Sequence, residues 1–84
     1  MVTILYRPES EHERSVLEFQ RELVREQVTT RLINIDGTEG SYLARLYDIT
    51  RYPGVLITKE DGRVLKSWAG ELPQISEVTY TART

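Results

Sequence analysis

A hydroxyl, an imidazole and a carboxylate lie close together in the segment Ser10-Glu11-His12-Glu13. Such a set could support nucleophilic catalysis if the imidazole acted as a base on the serine hydroxyl. Neighbouring residues in a helical turn diverge by about 100°, however, so we expect His12 to point outward, away from Ser10. The pattern instead favours a capping box, in which serine caps the free backbone N–H groups of a helix and the following Glu13 reaches back.

Acidic residues around His12 raise the alternative of a metal site. Glu9, Glu11 and Glu13 all lie near this imidazole in the sequence. Metal ligands on one helix usually repeat at i and i+4, and this segment lacks that spacing. Carboxylates are also favourable at the start of a helix because of its dipole. The sequence therefore predicts no metal ligand here.

The chain contains no cysteine, which excludes disulfides, thiol nucleophiles and thiolate metal sites. Its 84 residues, 39% hydrophobic and 29% charged, suit a single small domain over 1–84. A net charge of −2 provides no positive field to attract nucleic acid or an anionic membrane. No apolar run approaches the roughly 20 residues that span a bilayer, and no leader pattern precedes the first strand. We therefore expect a cytoplasmic protein that binds neither nucleic acid nor membrane.

The first half of the chain alternates between strand and helix patterns. Val2–Tyr6 is apolar at adjacent positions, which predicts a strand buried on both faces. An amphipathic helix is predicted over 11–27. Its apolar stripe comprises Val16, Leu17, Phe19, Leu23 and Val24. A second strand is predicted over 29–35, where β-branched residues are frequent, and a short helix over 39–47. The apolar side of that helix comprises Leu43, Leu46 and Tyr47.

The second half predicts a hairpin and a closing helix. Val55-Leu56-Ile57 is apolar at consecutive positions and indicates an internal strand. Asp61-Gly62 is typical of a type I′ hairpin turn, in which both central residues have positive φ, and 63–69 is the paired strand. A last helix is predicted around 74–80. The residues from 79 onward are poor helix formers and are expected to fray.

These elements follow in the order β-α-β-α-β-β-α. Crossover connections are right-handed, so the first strand–helix–strand unit is parallel, whereas the Asp-Gly turn makes the last two strands antiparallel. A four-stranded mixed sheet flanked by helices, an α/β fold, satisfies both conditions. The edge of the core is expected to include Tyr6, Tyr42 and Tyr47, and Trp68 is expected within the core.

The run from Ala44 to Gly62 resembles the helix, proline loop, strand and turn of thioredoxins and glutaredoxins. Its central feature is Tyr52-Pro53-Gly54, placed directly before the strand, and the resemblance covers roughly 2–72. At the N-terminus the chain is most similar to glutaredoxins. The resemblance implies a thioredoxin-like fold with sheet order 2-1-3-4 and helices on both faces. It also implies a cis bond between Tyr52 and Pro53.

The resemblance further implies a ligand groove. The two redox cysteines of the family fall on Ser10 and Glu13, so the chain resembles a family member that lacks its dithiol. Tyr52-Pro53 matches the dipeptide that faces the first cysteine, and Gly70 matches the glycine after the fourth strand. Arg7 matches a lysine that binds the glycine carboxylate of glutathione in glutaredoxins, although a solvated loop arginine is the plainer interpretation. The predicted groove thus comprises Arg7, Ser10, Glu13, Tyr52, Pro53 and Gly70.

Three functions are compatible with this pattern. In the family, the backbone before the proline pairs with an extended peptide or with glutathione, which needs no cysteine. We therefore expect a non-catalytic protein, without thiol redox activity or a cofactor, that binds a protein or extended peptide in the predicted groove. Residual glutathione binding or glutathione-dependent activity through Arg7 and Ser10 is one alternative. A structural or assembly role without a small ligand is another.

Nearby charges bear on these alternatives. Several carboxylates near the predicted groove weigh against a ligand as anionic as glutathione: Glu9, Glu11, Glu13 and Glu71. We expect binding to centre on the backbone of Tyr52 and the free N–H groups of the first helix, away from the hairpin at 59–63. The chain is expected to be a monomer or a weak dimer.

Overall fold

A four-stranded mixed sheet, with helices on both faces, organises the chain. The structure is a computed structural model and describes residues 1–83. Its elements are β1 (Val2–Tyr6), α1 (Glu13–Arg25), β2 (Thr30–Asn34), α2 (Thr38–Leu46), β3 (Gly54–Thr58), β4 (Val64–Ala69) and α3 (Ile75–Ala82). The strand order is β2-β1-β3-β4, with β1 parallel to β2 and the other two pairs antiparallel. The predicted element order, sheet order and strand directions are confirmed.

Two apolar layers hold the helices to the sheet, because successive side chains of a strand point to opposite faces. The first cluster, under α1 and α3, comprises Val2, Ile4, Val16, Phe19, Leu23, Val28, Val55, Ile57 and Val78. The second cluster, under α2, comprises Leu5, Ile35, Ala44, Ile49 and Leu56. Full burial of one such side chain stabilises the fold by about 1.5–3 kcal/mol. Strands β1 and β3 contribute to both layers, as their consecutive apolar residues predict.

Helix α1 is shorter than predicted and has a narrower buried side. It spans Glu13–Arg25 rather than 11–27. Its buried residues are Val16, Phe19 and Leu23. Leu17 and Val24, which were expected to widen the stripe, are 36% and 56% exposed. They lie roughly 100° or more around the helix axis from the buried side, so the sheet cannot cover them.

Helix α2 approaches β2 closely through a glycine. A Cβ atom on Gly40 would overlap the backbone carbonyl of Asn34, so a larger residue would push the helix away from the sheet. Ala44, four residues later, is also buried. Leu46 was predicted to lie on the same apolar side but is 54% exposed, because it lies on another side of this short helix.

The β3–β4 hairpin closes with a loop that differs from the predicted type I′ turn. Gly62 has a φ of +87°, but Asp61 does not have the positive φ that type I′ requires. The N–H of Gly62 donates to the carbonyl of Lys59 at 2.9 Å. The N–H of Lys59 donates to the carbonyl of Arg63, also at 2.9 Å. The Asp61 carboxylate accepts from the N–H of Arg63 at 3.0 Å. These bonds define a longer loop that ends in a left-handed glycine.

Helix α3 extends beyond the predicted end, to Ala82. Val78 and Thr79 are buried, so packing overrides the poor helix propensity of this segment. The guanidinium of Arg83 donates to the carbonyl of Glu26 at 2.6 Å, which ties the end of α3 to the end of α1. The prediction of fraying is therefore wrong for 79–83, and Thr84 lies outside the described residues. None of the helices within 1–83 has the length and apolar character to cross a membrane.

Candidate functional site

The end of β1 and the start of β3 leave the sheet at the same edge. The two strands are antiparallel, and Leu5 is paired with Gly54. The loop after β1, residues 7–12, and the loop before β3, residues 47–53, therefore emerge side by side. This edge carries most of the predicted groove.

Two neighbouring depressions flank Tyr52 at this edge. The first, called the α2-side depression, has a volume of about 460 Å³, and its charged lining residues are Arg7, Arg45 and Asp48. The second, called the β4-side depression, has a volume of about 720 Å³. It is lined by Arg51, Tyr52, Trp68, Ala69, Gly70 and Glu71. Tyr52 is the residue that lines both depressions.

The Tyr52 ring is held in place by its own hydroxyl. That hydroxyl donates to the carbonyl of Ile49 at 3.0 Å, and the ring packs against the second cluster. The following residue, Pro53, is buried, and the Tyr52–Pro53 bond is cis. One polar anchor and one apolar contact thus hold the Tyr52 ring in place.

The backbone at Tyr52 is open. Pairing between β3 and β4 continues one step past Gly54, where the N–H of Gly70 donates to the carbonyl of Pro53 at 3.0 Å. Within the part of the chain that the structure describes, the backbone N–H and C=O groups of residues 50–52 make no hydrogen bond. Backbone polar groups nearly always find a partner, in the protein, in water or in a ligand. An extended segment could therefore pair with Tyr52.

The loop at residues 7–12, which we call the helix-start loop, uses two of its side chains to satisfy the backbone of Arg7. The Ser10 hydroxyl donates to the carbonyl of Arg7 at 2.5 Å, and the N–H of Arg7 donates to Nε2 of His12 at 3.1 Å. The N–H of Glu13 donates to the backbone carbonyl of Ser10 at 3.3 Å. This loop has little capacity left to bind a ligand through these groups.

This arrangement overturns two predictions from the sequence. The N-cap of α1 is His12, with no side-chain cap bond, so Ser10 and Glu13 do not form a capping box. His12 turns back into the loop instead of pointing outward. The physical reason is that the chain reverses directly after β1, and the carbonyl and N–H of Arg7 need partners within that reversal.

The guanidinium of Arg7 lies at the rim of the α2-side depression and is already paired. Its Nε lies 3.6 Å from Oδ2 of Asp36, and the two side chains are 56% and 62% exposed. An exposed pair of this kind contributes about 0–1 kcal/mol. Arg45, also at this depression, forms no ion pair with any residue in 1–83.

The structure brings together only part of the predicted groove. Arg7 and Tyr52 line the α2-side depression, and Tyr52 and Gly70 line the β4-side depression. Ser10 and Glu13, at the predicted redox position, line neither of the two. Among the described residues, no group of His, Asp and Glu side chains is arranged to hold a metal ion.

Trp68 is a site residue that the sequence interpretation missed. It was expected in the core, but it is half-buried, packs against the first cluster and lines the β4-side depression. The ammonium of Lys66 lies 5.1 Å from the centroid of its ring. The available signal was the predicted sheet order, which makes β4 an edge strand whose side chains are covered incompletely.

Comparison with solved structures identifies the architecture. Thioredoxin 1 from Thermosipho africanus superposes with a TM-score of 0.71 at 17% identity, over 98% of this chain and 89% of that protein. Thioredoxin O2 from Arabidopsis thaliana superposes with a TM-score of 0.71 at 17% identity, over 98% of this chain and 70% of that protein. A thioredoxin from Thermus thermophilus superposes with a TM-score of 0.57 at 17% identity, over 98% of this chain and 70% of that protein. The sequence matches no family model and no curated protein.

These comparisons confirm the thioredoxin-like fold that the sequence predicted. At such low identity the likeness concerns the fold alone. The stronger resemblance of the N-terminus to glutaredoxins stays a prediction. A thioredoxin-like fold that contains no cysteine is therefore the starting point for assigning a function.

Proposed function

We propose that this chain is a non-catalytic peptide-binding domain that pairs an extended peptide with the backbone of Tyr52. The observation that carries the proposal is the open N–H and C=O of Tyr52, next to the point where sheet pairing ends. Addition of an extended segment to such a position gains main-chain hydrogen bonds and needs no thiol. The absence of cysteine excludes dithiol exchange but leaves this interaction intact.

The rigidity of the site supports the proposal. The hydroxyl of Tyr52 bonds to Ile49 and the carbonyl of Pro53 bonds to Gly70, so the open segment is anchored on both sides. A preorganised site loses little conformational entropy when a ligand binds. Successive side chains of an extended peptide point to opposite sides, and the two depressions beside Tyr52 would each receive one.

Glutathione is the less favoured ligand, because two of the groups it would need already have partners and because carboxylates surround the site. The alternative relies on Arg7 and Ser10, but Arg7 is paired with Asp36 and the Ser10 hydroxyl donates to a carbonyl in its own loop. The Asp36 carboxylate offsets part of the positive charge that Arg7 could offer glutathione, and the single donor of Ser10 is already used. Glu71 at the β4-side depression would also repel its carboxylates.

Amide chemical-shift titration tests the proposal directly. We would titrate the ¹⁵N-labelled domain with a blocked peptide of alternating threonine and valine, and separately with glutathione. The largest shifts are expected at Arg51, Tyr52 and Gly70, for the peptide and not for glutathione. Larger shifts at Arg7 and Ser10 with glutathione would favour the alternative ligand. Shifts confined to the hairpin at 59–63 would contradict the proposal and favour an assembly role.

A further inference from the structure

The sheet ends in two edge strands, and the free edge of β2 is less protected than that of β4. Proteins commonly blunt an edge strand with a bulge or with lysine. Strand β4 has both, because its register shifts between Ile57 and Thr58 and because Lys66 lies over the Trp68 ring. Strand β2 pairs with β1 along its whole length without a shift. The edge of β2 is therefore the one that is open to a further strand.

Backbone groups at the centre of β2 point outward from the sheet. The N–H of Val2 donates to the carbonyl of Thr29 at 3.2 Å, and the N–H of Ile35 donates to the carbonyl of Tyr6 at 3.0 Å. Alternate residues of a strand bond to the same neighbour. Leu32 is three residues from each of these inward-facing positions, so its N–H and C=O face away from β1. No other strand within 1–83 lies on that side of β2.

Helix α1 presents a charged and apolar side beside this edge. The amide of Gln20 donates to the hydroxyl of Thr30 at 3.3 Å, which places this part of α1 over β2. Glu13, Leu17 and Arg21 are spaced four residues apart, so they lie along one side of the helix within about 80°. Leu17 is 36% exposed. Neither Glu13 nor Arg21 forms an ion pair with any residue that the structure describes.

The order of acid, leucine and base along α1 is complementary to itself when reversed. Two copies of β2 that pair antiparallel around Leu32 are related by a two-fold axis perpendicular to the sheet. This axis keeps both α1 helices on one face and makes them antiparallel. Helix α1 runs opposite to β2, so Leu17, which lies about one turn before the Gln20 contact, is close to the axis. Glu13 of each copy then faces Arg21 of the other, and the two Leu17 side chains meet between these pairs.

We infer that this chain forms a weak homodimer through the free edge of β2, with α1 packed against α1 of the second copy. A second copy fits better than an extended peptide, because a peptide would pair with the backbone of Leu32 but leave Leu17 and the charges of α1 uncovered. The interface comprises one strand and one side of a helix, and interfaces of this small size bind weakly. The inference does not depend on the proposed function, because Tyr52 lies before β3, two strands away from β2.

Sedimentation equilibrium of the full chain, over increasing protein concentration, measures the dimer. Arg21→Glu and Glu13→Arg should each weaken dimerisation by about tenfold, since two attractive pairs become repulsive. The double variant restores opposite charges across the axis and should return the affinity to within about threefold of the wild type. Glu22→Arg, on the opposite side of α1, is the control. It makes the same charge change as Glu13→Arg and should leave the affinity unchanged.

Amide hydrogen exchange identifies which edge pairs. The N–H of Leu32 should exchange several-fold more slowly as the protein concentration rises, because it donates to the second copy in the dimer. The N–H of Ser67 is the comparison. It points outward from β4, since Ser67 is three residues from Gly70, whose N–H donates inward to Pro53. Its exchange rate should not depend on protein concentration.

Three outcomes would overturn the inference. The first is a monomer at every concentration. The second is a dimer whose affinity is unchanged by the single charge reversals or is not restored in the double variant, because such a dimer would use another surface. The third is concentration-dependent protection at Ser67 instead of Leu32, which would show that the copies pair through β4.

Discussion

The helix-start loop and the segment around Tyr52 lie side by side at one edge of the sheet, yet their side chains bond to the backbone differently. In the helix-start loop, Ser10 and His12 satisfy the carbonyl and the N–H of Arg7. The hydroxyl of Tyr52 donates to the carbonyl of Ile49, and the backbone of Tyr52 itself stays open. At the position that resembles a redox centre, the backbone of Arg7 is therefore already satisfied, whereas the backbone of Tyr52 in the loop opposite is available to a ligand.

The difference follows from how each loop is held. The helix-start loop has no large buried side chain of its own, so local hydrogen bonds, each worth about 0.5–1.5 kcal/mol, define its shape. Tyr52 and Pro53 are held mainly by packing, by an anchored ring and by the start of β3. Packing fixes a backbone without using its N–H and C=O groups, so those groups remain free for a partner.

Cysteines placed in the helix-start loop should produce the largest change, because the effect is all or none. Glu13 and Ser10 are joined by a backbone turn bond, which brings their Cα atoms within the separation of about 4.4–6.8 Å that a disulfide needs. Ser10→Cys with Glu13→Cys should oxidise fully to an intramolecular disulfide under mild conditions, as seen by mass and thiol titration. Ser10→Cys alone is the control. Persistent free thiols in the folded double variant would mean that this loop does not correspond to the dithiol position.

Tyr52→Ala should cause the largest loss of stability among the single changes. It removes a half-buried ring and the bond to the Ile49 carbonyl, so we expect a loss of about 2 kcal/mol in the free energy of unfolding. Chemical denaturation measures this loss. Tyr42→Ala is the matched control: Tyr42 is 56% exposed, and its loss should change stability by no more than about 0.5 kcal/mol. Equal losses for the two variants would show that Tyr52 is not anchored.

Tyr52→Phe measures the contribution of the hydroxyl bond separately from that of the ring. The variant keeps the apolar contacts but leaves the carbonyl of Ile49 without its donor, which should cost about 1 kcal/mol. Chemical denaturation again measures the loss, and the amide-shift titration should show weaker peptide binding through a less rigid ring. Wild-type stability together with wild-type affinity would contradict a role for the hydroxyl.

The smallest effects are expected in the helix-start loop. His12→Ala and Ser10→Ala each remove one bond in an exposed loop, where water can replace the lost partner, so each should cost about 0.5 kcal/mol. Thermal denaturation with several repeats should resolve such differences. Neither variant should alter peptide binding by more than about twofold. A tenfold loss of affinity in either one would mean that this loop contacts the ligand after all.

The sequence predicted the scaffold better than the site. Runs such as Val2–Tyr6 and Val55-Leu56-Ile57 are buried on both faces, and their periodicity carries that information directly. Local polar choices were predicted less well. The spacing of Ser10 and Glu13 fits a capping box, but it also fits a turn that serves Arg7, and only the path of the chain decides between them.

Residues at the edges of elements were the other source of error. Trp68 and Leu46 are apolar residues that the sequence places on packed faces, but Trp68 lies on an edge strand and Leu46 is the last residue of a short helix. Hydrophobic character alone does not say whether a neighbouring element covers a side chain. The presence of Trp68 among the residues that line the β4-side depression was missed for that reason.

Amide hydrogen exchange, with and without the threonine–valine peptide, tests most directly the claim that the backbone of Arg7 is satisfied within its loop and that of Tyr52 is open. In the free protein, the N–H of Tyr52 should exchange at close to the rate of an unprotected amide, whereas the N–H of Arg7, bonded to His12, should be at least several-fold slower. Saturation with peptide should slow exchange at Tyr52 by about tenfold or more and leave Arg7 unchanged. Protection of Tyr52 in the free protein equal to that of Leu56 in β3, or no gain on saturation, would contradict the account.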